Sequence, residues 1–251
     1  MAKLRSWQKH PAPQQSQGQR SGEQEWQKRG MTKHGAFSVG ATQIAAYFLL
    51  LFAVFSLGGI STPSIIGLGF LLLSGMMVTL VGWPFGGEPK ESVFGRVLAS
   101  LTILAAIGFM FSGDFYSDST FSRWAYFMVG AFLVLVFASF LRQMLRENRK
   151  HMIASLSRGL FVSVVALGAA SWMFLPSLMM DLAHGVGPSW LPGTLLGVLV
   201  VAAVALLIAS IFWWNGMHTK LPFSWMGTGM VPVLMMGFLV YVAAFFLHIA
   251  A

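Results

Sequence analysis

The stretch MMDLAHG, residues 179–185, holds the two side chains of this chain best suited to chemistry, Asp181 and His184. Their spacing of three places a carboxylate and an imidazole on one side of a helix, if the segment is helical. Such groups beside methionines are ligands for copper and other transition metals. The sequence therefore offers Asp181 and His184 as a candidate metal site, with a polar loop at a membrane surface as the alternative.

The sequence contains no motif that predicts catalysis. It has no Cys, which excludes thiol nucleophiles, Cys-ligated zinc, iron–sulfur clusters and disulfides. It has no Walker loop, H-E-x-x-H or G-x-G-x-x-G motif, and Ser74–Gly75 lacks the earlier glycine of the G-x-S-G motif of intramembrane serine proteases. We therefore expect a protein that is not an enzyme and has no cofactor.

Long apolar segments must position the few polar side chains. Hydrophobic residues make up 56% of the 251 and charged residues only 10%, far from the balance of a soluble domain. Helices of about twenty apolar residues cross the roughly 30 Å hydrocarbon layer of a bilayer. Seven such spans are predicted at Ala41–Ile60, Ile65–Trp83, Val93–Phe111, Trp124–Leu141, Arg158–Leu178, Thr194–Trp214 and Gly229–Ala251.

These spans predict the fold class. They are apolar all round, whereas helices of a soluble bundle keep a polar stripe, and they lack the alternating strands of outer-membrane barrels. We predict an all-α, polytopic helical membrane bundle of about seven transmembrane helices at residues 41–251. Residues 1–40, rich in Gln, Gly, Ser, Lys and Arg, are predicted to form a disordered basic cytoplasmic tail.

The distribution of charge predicts the orientation. With the tail inside, fifteen of the sixteen Lys and Arg residues fall in the tail or near the inner loops, and Arg123 is the exception. Asp114, Asp118, Asp181 and His248 fall on the outer side, where they could gather with His184. We predict a protein of the bacterial inner (cytoplasmic) membrane, with its N-terminus in the cytoplasm and its C-terminus periplasmic or extracellular.

The densest charge run, RQMLRENRKHM at residues 142–152, falls in the widest inner loop. As a continuation of the fourth span, it places Arg142, Arg146, Arg149 and Lys150 on one helical face. We expect these residues to contact anionic lipid headgroups, at about 1 kcal/mol per basic residue, or alternatively an acidic partner protein. Because the basic residues are split between the tail and short loops, we expect no nucleic-acid partner.

Small and aromatic residues suggest how the spans pack. Gly193 and Gly197, and the cluster Gly168–Ser171, could let helix backbones approach closely, within this bundle or against another protein. Tryptophans near the span ends are predicted to lie at headgroup depth. These are Trp83, Trp124, Trp172, Trp190, Trp213, Trp214 and Trp225.

Function is predicted from the combination of these features. Every Asp, Glu, Lys and Arg falls in a loop or at the edge of a span, which disfavours an ion-coupled transporter. Pro176 and Pro232 fall near span ends, where a proline costs little.

The leading hypothesis is a non-catalytic scaffold or accessory subunit of a larger bacterial envelope complex, of the secretion, conjugation or respiratory type. Its partners would be the lipid bilayer and other membrane-protein subunits. The alternative is a transporter or channel for a small or apolar solute.

Overall fold

The structure is a computed structural model that describes residues 33–56, 61–83, 89–112, 117–145, 152–216 and 223–250. Within these residues every regular element is a helix, and short turns join some of the helices. The elements are α1 (Lys33–Ser56), α2 (Thr62–Val81), α3 (Pro89–Met110), α4 (Asp118–Met144), α5 (Met152–Ser171), a 3-10 turn (Trp172–Phe174), α6 (Leu175–His184), α7 (Leu191–Gly216) and α8 (Ser224–Ala250).

Seven helical segments of the described chain are long and apolar enough to cross a membrane. One of them, Leu156–His184, combines most of α5 with the 3-10 turn and α6. The predicted all-helical fold and the number of spans are thereby confirmed, and the helices indicate a membrane location.

The first helix begins earlier than predicted. Residues 33–40, assigned to the tail from sequence, belong to α1. They are helical because this part of α1 packs on α7: Gly35 lies against the Trp214 ring, and Gly40 faces Leu207. Residues 1–32 of the predicted tail lie outside the described residues, so the disordered tail stays a prediction.

Helix α8 forms the centre of the bundle. It packs against α1, α2, α5, α6 and α7, and 14 of its 27 residues are buried. Ser210, by contrast, is the one buried residue of α7. The core is therefore organised around α8 and the fifth span, Leu156–His184, which is buried to a larger share than α8, and α7 lies on the periphery.

The backbones of α5 and α8 touch where the two helices cross. A Cβ atom added to Gly237 would collide with the carbonyl oxygen of Gly168. A Cβ added to Gly168 would lie 2.8 Å from the carbonyl oxygen of Leu234. Both positions therefore require glycine. The cluster Gly168–Ser171 was predicted to allow close helix approach either within the bundle or against another protein. Gly168 is used for close approach within the bundle.

Contacts between helix ends show that α4 runs in the opposite direction to both α3 and α8. The Arg142 guanidinium, in the last turn of α4, lies 4.1 Å from the centre of the Phe94 ring near the start of α3. At the other end of the bundle, the His248 ring of α8 stacks on Phe121 of α4 at 4.4 Å.

We call the two ends of the bundle the basic end and the acidic end. At the basic end the described helices carry Lys33, Lys90, Glu91, Arg96, Arg142 and Arg158. At the acidic end they carry Asp118, Arg123 and Asp181. The separation of charge follows the predicted loops, and the cytoplasmic orientation of the basic end stays a prediction.

The fifth span is broken near its middle, which the sequence analysis did not anticipate. Pro176 has no N–H to donate to the carbonyl of Trp172, four residues earlier. The N–H of Leu175 donates to that carbonyl instead, which tightens the chain into a 3-10 turn. The α-helix then resumes and ends at Gly185, which adopts the left-handed conformation (φ 64°) that favours glycine.

Trp172 lies away from the ends of its span, contrary to prediction, and Trp124 lies near the start of its span but is buried among other helices. Trp172 lies in the broken middle of the fifth span, where its Nε1 donates to the Val233 carbonyl oxygen at 2.8 Å. Trp124 is fully buried against the rings of Phe109 and Phe174. Both are buried because aromatic packing with other helices satisfies their large apolar surface.

Candidate functional site

Asp181 and His184 lie on the last two turns of α6, at the acidic end. The segment is helical, so the two residues share a helical face. The Ser177 hydroxyl donates to Asp181 Oδ2 at 3.4 Å, and Asp181 interacts electrostatically with His184 and His248. The structure therefore brings His248 to the pair, as expected from the predicted topology.

The geometry leaves one imidazole nitrogen of His184 for a ligand. His184 Nδ1 lies 2.7 Å from the Met180 carbonyl oxygen, so Nδ1 donates its hydrogen to that carbonyl, and in the neutral form of the ring the lone pair is on Nε2. Within the described chain, no three His, Asp or Glu side chains could hold one metal ion. Asp114 and the Asp118 side chain lie outside that part. The metal site stays a prediction, which elemental analysis of the purified protein would test.

The basic run is described only up to Leu145, so Arg146, Arg149 and Lys150 lie outside the described residues. Arg142 is half-buried, and its guanidinium packs on the Phe94 ring. Such a cation–π contact contributes about 0.5–1 kcal/mol at an exposed site. Arg142 therefore joins α4 to α3 at the basic end, and the predicted lipid or partner contacts of the run stay predictions.

Gly193 and Gly197 lie on the face of α7 that points away from the bundle. A Cβ atom added to either would meet no other atom within 4 Å. Each is two residues, or about 200° around the helix, from a leucine of the stripe that packs on the core. That stripe consists of Leu191, Leu195, Leu199, Ala202 and Leu206. Neither glycine is used for packing within the described chain.

The same outer face continues with branched side chains. Val201, Val204 and Ile208 follow Gly197 at spacings of four, three and four residues, and all three are exposed. Small residues let a second helix approach closely, and β-branched side chains lose little rotamer freedom when they are packed. We call the face formed by Gly193, Gly197, Val201, Val204 and Ile208 the outer face of α7.

A polar contact inside the bundle was not predicted from the sequence. Gln43 of α1 is fully buried, and its Oε1 accepts a hydrogen bond from Ser210 Oγ at 2.7 Å. The same hydroxyl lies 2.8 Å from the Leu207 carbonyl oxygen, so its hydrogen is shared between two acceptors. Gln43 Nε2 and the Tyr47 hydroxyl, one turn further on, lie near each other but form no well-aligned hydrogen bond. A signal was available: Gln43 is the one carboxamide residue within the seven predicted spans.

This contact extends towards the break in the fifth span. The Tyr47 ring lies 6.1 Å from the Trp172 ring, and Trp172 donates to the Val233 carbonyl. We call Ser210, Gln43, Tyr47, Trp172 and the Val233 carbonyl the interior polar series. Its amide, hydroxyl, indole and carbonyl groups can hold helices together or orient an uncharged solute through hydrogen bonds.

Three regions therefore offer binding chemistry: the Asp181–His184 pair, the outer face of α7 and the interior polar series. No protein-family model, no curated protein and no solved structure matches the chain.

Proposed function

We propose that the protein is a non-catalytic polytopic membrane protein that acts as a scaffold or accessory subunit of a larger complex in the bacterial envelope. The observation that carries this proposal is the outer face of α7. Two glycines and three branched residues line up there, on a helix with a single buried residue. This arrangement suits the packing of a helix from another subunit.

The glycines are costly unless a partner packs on them. Glycine in a helix is less favourable than alanine by about 1 kcal/mol. Lipid chains give no specific compensation for that cost. A partner helix gains van der Waals and Cα–H···O contacts where the missing side chains allow a close approach. Gly108 and Gly130 also have no atom near the Cβ position, but neither has another glycine one turn away on its helix, whereas Gly193 and Gly197 lie one turn apart on one face. This pairing is the feature that favours an intermolecular contact over contact with lipid.

Copurification tests this proposal with a matched pair of variants. We expect the double variant Gly193→Leu and Gly197→Leu to lose the partner subunits that copurify with the wild type in mild detergent. The control is Gly130→Leu on α4, because Gly130 also has no atom within 4 Å of its Cβ position. A wild-type protein that runs alone, with no partner after crosslinking, would contradict the proposal.

The second candidate is a transporter or channel for a small or apolar solute. It is supported by the broken fifth span, because interrupted helices near mid-depth are common where transporters bind their substrates. The interior polar series lies beside this break and could contact an uncharged solute. Solute flux in reconstituted vesicles that falls in Gln43→Leu, with the protein still folded, would favour this candidate over the first.

A further inference from the structure

A groove of about 330 Å³ runs between α1, α2 and α8. Ala45 and Leu49 of α1 form one wall, Ser74 and Gly75 of α2 form the other, and Met230 and Val233 of α8 lie at its base. Ala45 and Ser74 are exposed, so the groove opens sideways, towards the lipid that would surround the bundle. It is separate from the outer face of α7 and from the Asp181–His184 pair.

Small side chains on both walls keep the groove open. Alanine, serine and glycine stand where the larger residues common in these spans would close the gap. A Cβ added to Gly75 would already lie 3.0 Å from Met230 Cε. The space is therefore built into the sequence of two helices and does not depend on one side-chain rotamer.

The surface of the groove is apolar in its chemistry. Two of the residues that line it, Thr42 and Ser74, carry hydroxyl groups. Each hydroxyl donates its hydrogen to a carbonyl of its own helix, Thr42 to Ser38 and Ser74 to Phe70, both at 2.8 Å. Neither hydrogen is left for a ligand, so the lining favours a hydrocarbon.

The groove lies nearer to the basic end of the bundle than to the acidic end on two of its three helices. Its lining on α1 extends from Thr42 to Leu50 across the middle of that helix, or about 12 Å at the helical rise of 1.5 Å per residue. On α2 and α8 it lies between the middle of the span and the basic end. In the described part of the chain, Arg96, Arg142 and Arg158 place positive charge at that end. A lipid whose chain fills the groove has its headgroup at this positively charged end.

We propose that the groove between α1, α2 and α8 binds an acyl chain of an anionic phospholipid from the leaflet at the basic end. In the groove, the acyl chain contacts fixed apolar walls on three sides, where in bulk lipid it would contact other acyl chains. The anionic headgroup is attracted to the basic residues at that end, at about 1 kcal/mol for each one close to it. The bound lipid thereby fills the gap between α1 and α2 and becomes part of the bundle.

Native mass spectrometry of the full chain tests this proposal, with phosphatidylglycerol and phosphatidylcholine as separate probes. Ala45→Phe and Ser74→Phe fill the groove from opposite walls, at exposed positions that do not disturb the core. Ala205→Phe adds the same ring to an exposed position of α7 and serves as the control. All three variants are first checked for monodispersity and helix content.

We expect the wild type and the control to retain phosphatidylglycerol, and both groove variants to bind it about tenfold more weakly, as expected for losing the burial of about two methylene groups. Equal retention by all four proteins would overturn the proposal. Equal binding of phosphatidylcholine would overturn the assigned headgroup charge. If decane binds in the groove and phosphatidylglycerol does not, the proposal of a lipid ligand is wrong and the ligand is an apolar solute.

Discussion

The hydrogen bond between Ser210 and Gln43 shows, at the scale of single residues, how polar groups act within these spans. It joins α7, which buries little else, to α1. Hydrogen bonds between membrane helices contribute about 0.6 kcal/mol on average and up to about 1.7. The larger effect comes from leaving a buried amide without a partner, because lipid offers no replacement donor or acceptor.

Two substitutions at this contact should therefore differ. We expect Ser210→Ala to lower the free energy of unfolding by about 1–2 kcal/mol, because the Gln43 amide then loses its hydrogen-bond donor. Gln43→Leu removes the whole amide at similar volume and should cost less. The double variant should match Gln43→Leu. Reversible unfolding in mixed micelles measures all three, and an unchanged stability in Ser210→Ala would show that the bond contributes nothing.

The crossing of α5 and α8 is the tightest contact at the scale of helices. We expect Gly237→Ala to lower the free energy of unfolding by about 3 kcal/mol, because the new methyl group meets the Gly168 backbone, which cannot rotate away. Gly108→Ala on α3 is the matched control, since its Cβ would meet nothing within 4 Å. The control should gain up to about 1 kcal/mol from helix propensity. Thermal unfolding in detergent that ranks the two variants equally would contradict this crossing.

The limits of prediction from sequence are also clearest at this scale. Length and hydropathy were enough to place seven helices, because crossing the bilayer requires long apolar runs. The break at Trp172–Phe174 was missed because the run from Arg158 to Leu178 is apolar throughout, and Pro176 alone hinted at a change. The exposure of α7 was unpredictable for another reason: lipid-facing and protein-facing surfaces are equally apolar, so hydropathy does not separate them.

The orientation of the whole molecule can be tested because the chain has no native Cys. Leu145→Cys places a thiol at an exposed position of the basic end, and Ser189→Cys places one in the exposed turn between α6 and α7 at the acidic end. If the basic end is cytoplasmic, a membrane-impermeant maleimide should label only the second variant in intact cells. Both should react after permeabilisation. The reverse pattern in intact cells would invert the predicted topology.

The central position of α8 has a consequence for how the protein is made. The ribosome synthesises α8 after all the other spans, so α1, α2, α5, α6 and α7 enter the membrane before the helix they surround exists. Until α8 is inserted, Gly168 lacks the α8 backbone on which it packs. Gln43 of α1 and Ser210 of α7 then belong to two helices that both lack α8 as a packing partner. Nascent chains should therefore stay loosely associated and sensitive to proteases until translation reaches α8, and become resistant in one late step.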